Sequence, residues 1–160
     1  IVLYKNGDKA IIKQENNRAI YIFKGAKDLK EGFSYNIQVN QIYDFYGLKE
    51  IKDFNILKSN SSFKNYKDLF LDGSKIDIFD FKYENEVITN LKGFITKGNL
   101  QINGGKTIKL FAKDKNILPK DGYTIEILNA QLASFRGNMQ IIFHTKDDYK
   151  ELKWAKKADC

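Results

Sequence analysis

Gly32–Ile51 (GFSYNIQVNQIYDFYGLKEI) and Gly122–Ile141 (GYTIEILNAQLASFRGNMQI) align without a gap at an offset of 90 residues. The pairs Gly32/Gly122, Ile37/Ile127, Gln41/Gln131, Phe45/Phe135, Gly47/Gly137 and Ile51/Ile141 are identical. Upstream, Lys9–Phe23 lies over Lys97–Phe111 at an offset of 88, with Ile20/Ile108, Ile22/Leu110 and Phe23/Phe111 in phase. A loop around Pro119 absorbs the two-residue difference. A chain that repeats itself at this spacing contains two copies of one unit.

Each copy reads as β-structure. In Arg18–Lys24 the apolar Ile20 and Ile22 alternate with Tyr21 and Phe23, the period-two pattern of a half-buried strand. Glu15-Asn16-Asn17 and Asn103-Gly104-Gly105 are turns whose residues accept positive φ. In Tyr35–Phe45 the alternation Tyr35, Ile37, Val39 resumes out of phase at Ile42, which predicts a β-bulge; Gly47 and Gly137 mark hairpin tips. Short strands and a long bent hairpin in about 60 residues are the economy of a five-stranded OB-fold barrel, whose closure lets a small unit bury a core. An open meander or half of a sandwich is the competing arrangement.

The expected fold class is therefore all-β, with two tandem OB-fold-like five-stranded barrels joined by a connector carrying a short helix. Residues 1–58 form the first barrel, its first strand expected to be clipped or short, and 59–85 form the connector. Residues 86–145 form the second barrel, starting with Glu86–Ile95 as a strand. Residues 146–160 are expected to be a C-terminal helix or a linker to a further domain. The connector's helical pattern rests on Phe63, Tyr66, Leu69 and Phe70.

The chain has 160 residues and a net charge of +7, from 25 Lys and two Arg against 20 acids. The excess lies in the two copies: residues 1–60 hold ten basic against seven acidic side chains and residues 91–145 hold eight against three, whereas residues 61–90 hold four against six. Such a balance suits a polyanionic partner, although lysines on a solvated face also reflect plain compositional bias. No apolar run is long enough to cross a bilayer. One cysteine, Cys160, can form no internal disulfide and no zinc cage. His144 is the single histidine, which leaves little room for acid–base or metal chemistry, and a lone strand histidine reads first as a satisfied side chain. Asp72, Asp77 and Asp80 do not match a calcium loop and read as a solvated linker. No cofactor or metal is expected, and no catalysis.

The motif Gly–x4–Ile–x3–Gln–Ile/Leu–x2–Phe–x–Gly–x3–Ile, with Arg18-Ala19-Ile20-Tyr21-Ile22 before it, resembles the nuclease-associated OB-fold modules of secreted bacterial proteins. The resemblance spans roughly residues 1–58 and 86–145, and departs from that family at Phe23-Lys24 and Phe111-Ala112. It implies an accessory module that holds nucleic acid beside other domains of a larger bacterial protein, in an extracellular or surface setting. In OB barrels single strands lie across the second and third strands, where lysines follow phosphates and rings stack on bases. By that rule the candidates are Arg18, Tyr21, Lys24 and Tyr46 in the first copy and Lys106, Lys109, Lys113 and Arg136 in the second. Phe23 and Phe111 either stack on bases or pack against protein. A protein- or oligosaccharide-binding spacer without affinity for nucleic acid is the second function class these residues permit.

Overall fold

The structure, a computed structural model, describes residues 1–154. Its first sheet holds β1 (Val2–Asn6), β2 (Lys9–Ile12), β3 (Ile20–Ile22), β4 (Tyr35–Phe45) and β5 (Leu48–Ser59) in the order β1-β2-β3-β5-β4. β3 and β5 run parallel, and the other pairings are antiparallel. Gly32 N–H donates to the Val2 carbonyl (2.9 Å) and Val2 N–H to that of Phe33 (3.0 Å), joining the first strand to the lead-in of the fourth. Gly32 needs its positive φ of 83° here, and an added Cβ would run into the Phe63 ring. The interior is filled by Val2, Ala10, Ile22, Leu29 and Ile51.

The connector contributes β6 (Leu71–Asp72), and β7 (Val87–Thr89) follows it. Barrel two follows with β8 (Leu91–Thr96), β9 (Asn99–Gln101), β10 (Thr107–Phe111), β11 (Tyr123–Ile127), β12 (Ala130–Phe135) and β13 (Asn138–Ile142), and β14 (Tyr149–Trp154) comes last. Its sheet runs β14-β11-β8-β9-β10-β13-β12-β7-β6. β10 and β13 are parallel, and β11 pairs with β8, closing the barrel. Both barrels thus have the strand order and the parallel third–fifth pairing of an OB fold. Their registers coincide: Ile22 faces Ile51 in one and Leu110 faces Ile141 in the other.

The long fourth strand bends in both copies. In β4 the register slips between Val39 and Gln41 and again before Ile42, the bulge that the broken alternation predicts. In barrel two the bend is a full interruption between β11 and β12. There the N–H groups of Leu128 and Asn129 leave the ladder and donate to the Asp148 carbonyl at 2.9 and 3.2 Å.

The structure bears on four expectations and corrects three of them. The first strand of barrel one is present in the described residues: β1 is five residues long and pairs with β2, with a register slip at Leu3. Glu86–Ile95 is not one strand, because Asn90 takes φ 57° and separates β7, which pairs with β12, from β8. The connector helix is a single 3-10 turn, Tyr66–Leu69, with no side-chain cap. Its rings are held one by one on the outer face of barrel one, and one turn is too short to propagate as an α-helix. The C-terminal segment is not a helix up to Trp154: Thr145 and Asp148 form a capping box around one 3-10 turn, after which β14 adds to the free edge of β11. The rest of the expected helix, and Cys160, lie outside the described residues. No helix among them is long and apolar enough to cross a membrane.

Candidate functional site

The barrels pack through equivalent hairpin tips. Tyr46-Gly47 and Arg136-Gly137 both have positive φ at their two central positions, as type I′ turns require. Phe135 packs on Phe45 and Tyr46 at 5.8 and 5.0 Å between ring centroids. Away from the tips, Lys13 reaches across to Glu86 (2.7 Å) and the Tyr4 hydroxyl donates to Asp148 (2.9 Å). Asp148 also accepts from the backbone N–H groups of His144 and Thr145 and from the Asn129 amide, so its buried carboxylate is saturated.

Between these contacts lies a cleft of about 410 Å³. Three equivalent pairs line it: Tyr21 and Lys109, Glu50 and Gln140, Phe45 and Phe135. The cleft is therefore formed by the same face of each barrel, the outward face of the third and fifth strands. Phe111, Lys9 and Lys113 stand at it as well. From its mouth a second hollow continues over barrel one past Phe23, Tyr43 and Lys52.

The lining carries ionisable groups in a dry setting. Burial raises the Glu50 carboxyl above its ordinary value of 4.5, opposed by Lys9. Burial lowers the His144 imidazole below 6.5, with Asp148 opposing and Lys9 reinforcing. His144 Nε2 lies 2.8 Å from the Gln131 Oε1, and the Gln131 amide in turn donates to Asn85 (3.0 Å). That amide orientation makes His144 Nε2 the donor to Gln131. Its ring lies nearly parallel to that of Tyr21, 6.1 Å away. The Tyr21 hydroxyl, buried and near Glu50 and Asp8, is held well above the ordinary phenol range.

The eight sequence candidates fall in several places. Tyr21, Lys109 and Lys113 meet in the cleft. Tyr46 and Arg136 meet each other at the tips, the guanidinium carbon 4.7 Å from the ring centroid. Lys24 lies over Phe23 at 5.9 Å. Arg18 donates to the Phe81 carbonyl (2.9 Å), in a separate hollow with Lys13 and Lys82, and Lys106 lies over Phe79. Neither Arg18 nor Lys106 lines the cleft. Phe111 is 46% exposed and so free to stack. Asp72, Asp77 and Asp80 each accept from the backbone N–H two residues on, as turn-formers do.

Sequence reasoning missed Glu50, Ser134 and Gln140. Their one visible signal is polarity on a strand, flanked by apolar residues at Ser134 and Gln140, and its meaning depends on how the barrels meet.

No protein-family model and no curated protein matches the sequence. Among solved structures the chain is similar to the HINb domain of p204, with 12% identity over 90% of this chain and 84% of that one and a TM-score of 0.39. It is also similar to the HINa domain of Ifi202 in complex with a 20-base-pair double-stranded DNA, with 14% identity over 92% and 84% and a TM-score of 0.38. The strand order and register described above carry the fold assignment by themselves.

Proposed function

We propose that the chain is a non-catalytic module that holds single-stranded nucleic acid along the outer face of barrel one and into the inter-barrel cleft. One observation carries this reading: a row of open rings interleaved with ammonium groups. Phe23, Tyr43 and Phe45 follow one another at 6.5 and 6.4 Å between centroids, and Phe45 continues to Phe135 across the barrel boundary. Lys9 and Lys24 lie over Phe23, and Lys52 lies over Tyr43 at 5.8 Å. Rings offer faces to unpaired bases, while the ammonium groups beside them meet phosphates. A duplex keeps its bases stacked on each other and has no use for such a row, which favours a single strand.

The test is fluorescence anisotropy with labelled single-stranded and duplex oligonucleotides over a salt series. The expected result is tighter binding of the single strand, with log K falling against log salt by about 0.7 per phosphate neutralised. Tyr43→Ala should weaken binding by about 1–3 kcal/mol. Absence of binding at low salt, or binding indifferent to Tyr43→Ala and to strandedness, overturns the proposal.

A different observation favours a protein partner. On the β4–β5 arm Val39, Ile42, Ile56 and Leu57 are exposed on a hairpin that extends past the barrel. Loss of an oligonucleotide-independent interaction on Leu57→Lys would support that reading.

A further inference from the structure

We infer that the inter-barrel cleft is a pocket for one nucleobase, its phosphate lying toward Lys109 and Lys113. The inference deepens the strand-binding proposal and shares Phe45 with it, but its polar groups are different ones. Ser134 lines the cleft and is 4% exposed, and its hydroxyl is the one buried side-chain polar atom among the described residues without a hydrogen-bond partner. Glu50 is 8% exposed and lines the same space; the influences on its carboxyl are burial and the charge of Lys9, with no hydrogen bond among them. Gln140 is also buried at this wall.

Natural proteins seldom leave a buried polar group unmatched, so the Ser134 hydroxyl points to an absent partner, and Glu50 and Gln140 add hydrogen-bonding groups at the same wall. They come from β12, β5 and β13 respectively, so the demand is spread around the cleft. Tyr21, Phe45 and Phe111 give the same space aromatic walls, which call for a flat occupant. A volume of about 410 Å³ lies in the range of small-ligand sites. A hydrocarbon chain would suit the walls and leave the polar groups dry, at a desolvation cost. A nucleobase satisfies both, since its faces stack while its edge both donates and accepts. Lys109 and Lys113 at the cleft supply charge for the attached phosphate.

The whole chain should be titrated with AMP, GMP, CMP and UMP, with ribose 5-phosphate and with decanoate, by calorimetry and by NMR of backbone amides. At least one mononucleotide should perturb the amides of Ser134 and Gln140 and bind roughly tenfold or more above ribose 5-phosphate, the equivalent of one good hydrogen bond. Ser134→Ala removes an unpaired hydroxyl, so it should fold with an unchanged or higher Tm and lose nucleotide affinity. Glu50→Gln exchanges an acceptor for a mixed donor and acceptor, and should reorder the four nucleotides. Competition between the mononucleotide and a labelled oligonucleotide identifies the natural occupant as a base of the strand; simultaneous binding identifies it as a free nucleotide. The inference falls if no mononucleotide perturbs the cleft, if ribose 5-phosphate does so equally, or if decanoate binds more tightly. Failure here with intact oligonucleotide binding leaves the strand-binding proposal standing, and the reverse result leaves this one standing.

Discussion

Arg136 lies against Tyr46, its repeat equivalent 90 residues earlier, with the guanidinium 4.7 Å from the ring centroid and its backbone N–H donating to the Tyr46 carbonyl at 3.0 Å. Both residues hold φ at 51°, a conformation in which asparagine or glycine is the ordinary choice. Strain of this kind persists where the side chain has another use.

That relationship predicts a contrast between two substitutions. Arg136→Ala loses the stacking and keeps the backbone strain, whereas Arg136→Asn loses the stacking and relieves it. The Asn variant should be about 1 kcal/mol more stable than the Ala variant in urea unfolding. Equal stabilities would show that the turn is not strained.

Glu50 costs the fold stability at neutral pH. Its carboxyl is raised in the folded state, so between 4.5 and that raised value the folded chain binds more protons than the unfolded one. This contribution makes stability fall as pH rises through the window. Glu50→Gln should therefore be more stable than the parent at pH 7, with the difference vanishing below pH 4.5. Denaturant midpoints at the two pH values measure it, and a less stable variant at pH 7 would contradict the assignment.

His144 acts with the opposite sign. Its imidazole is lowered by burial, so as pH falls below 6.5 the unfolded chain takes up a proton that the folded chain refuses. Stability should decline from pH 6.5 downward until the lowered value is passed. An NMR titration should find the His144 imidazole neutral at pH 6.5, and an ordinary midpoint there would refute the argument.

Lys13 and Glu86 form the ion pair between the barrels, with side chains 10% and 4% exposed, and Glu86 also accepts from the Ala19 N–H at 3.2 Å. Lys13→Met strands a buried carboxylate and should cost about 3–5 kcal/mol. The double variant Lys13→Met with Glu86→Gln should recover part of that loss. Chemical denaturation of the parent, Lys13→Met, Glu86→Gln and the double variant completes the cycle, and additive losses would mean the two residues are not coupled.

The barrels were legible because their signals are local. Gly32 and Gly122 stand where positive φ is needed, the alternation at Tyr21 and Ile22 fixes which face is inside, and the slipped phase at Ile42 falls beside the bulge. The edge elements were not. Lys146–Trp154 has a sequence that suits a helix, and its conformation is decided by the free edge of β11, a partner remote in the chain. The same holds for the cleft. Tyr21, Lys109 and Lys113 could be named from strand position, but Glu50, Ser134 and Gln140 gain meaning only once two equivalent faces oppose each other.

The bond from Tyr4 to Asp148 spans 144 residues. In the first barrel Leu3, Tyr4 and Ile11 turn outward, and their cover comes from residues later in the chain: Tyr66, Leu69 and Phe70 of the connector, then Val87, and for the Tyr4 hydroxyl Asp148. Part of this apolar face therefore stays open until the connector and the second barrel are in place, and transiently exposed apolar surface of that kind promotes aggregation.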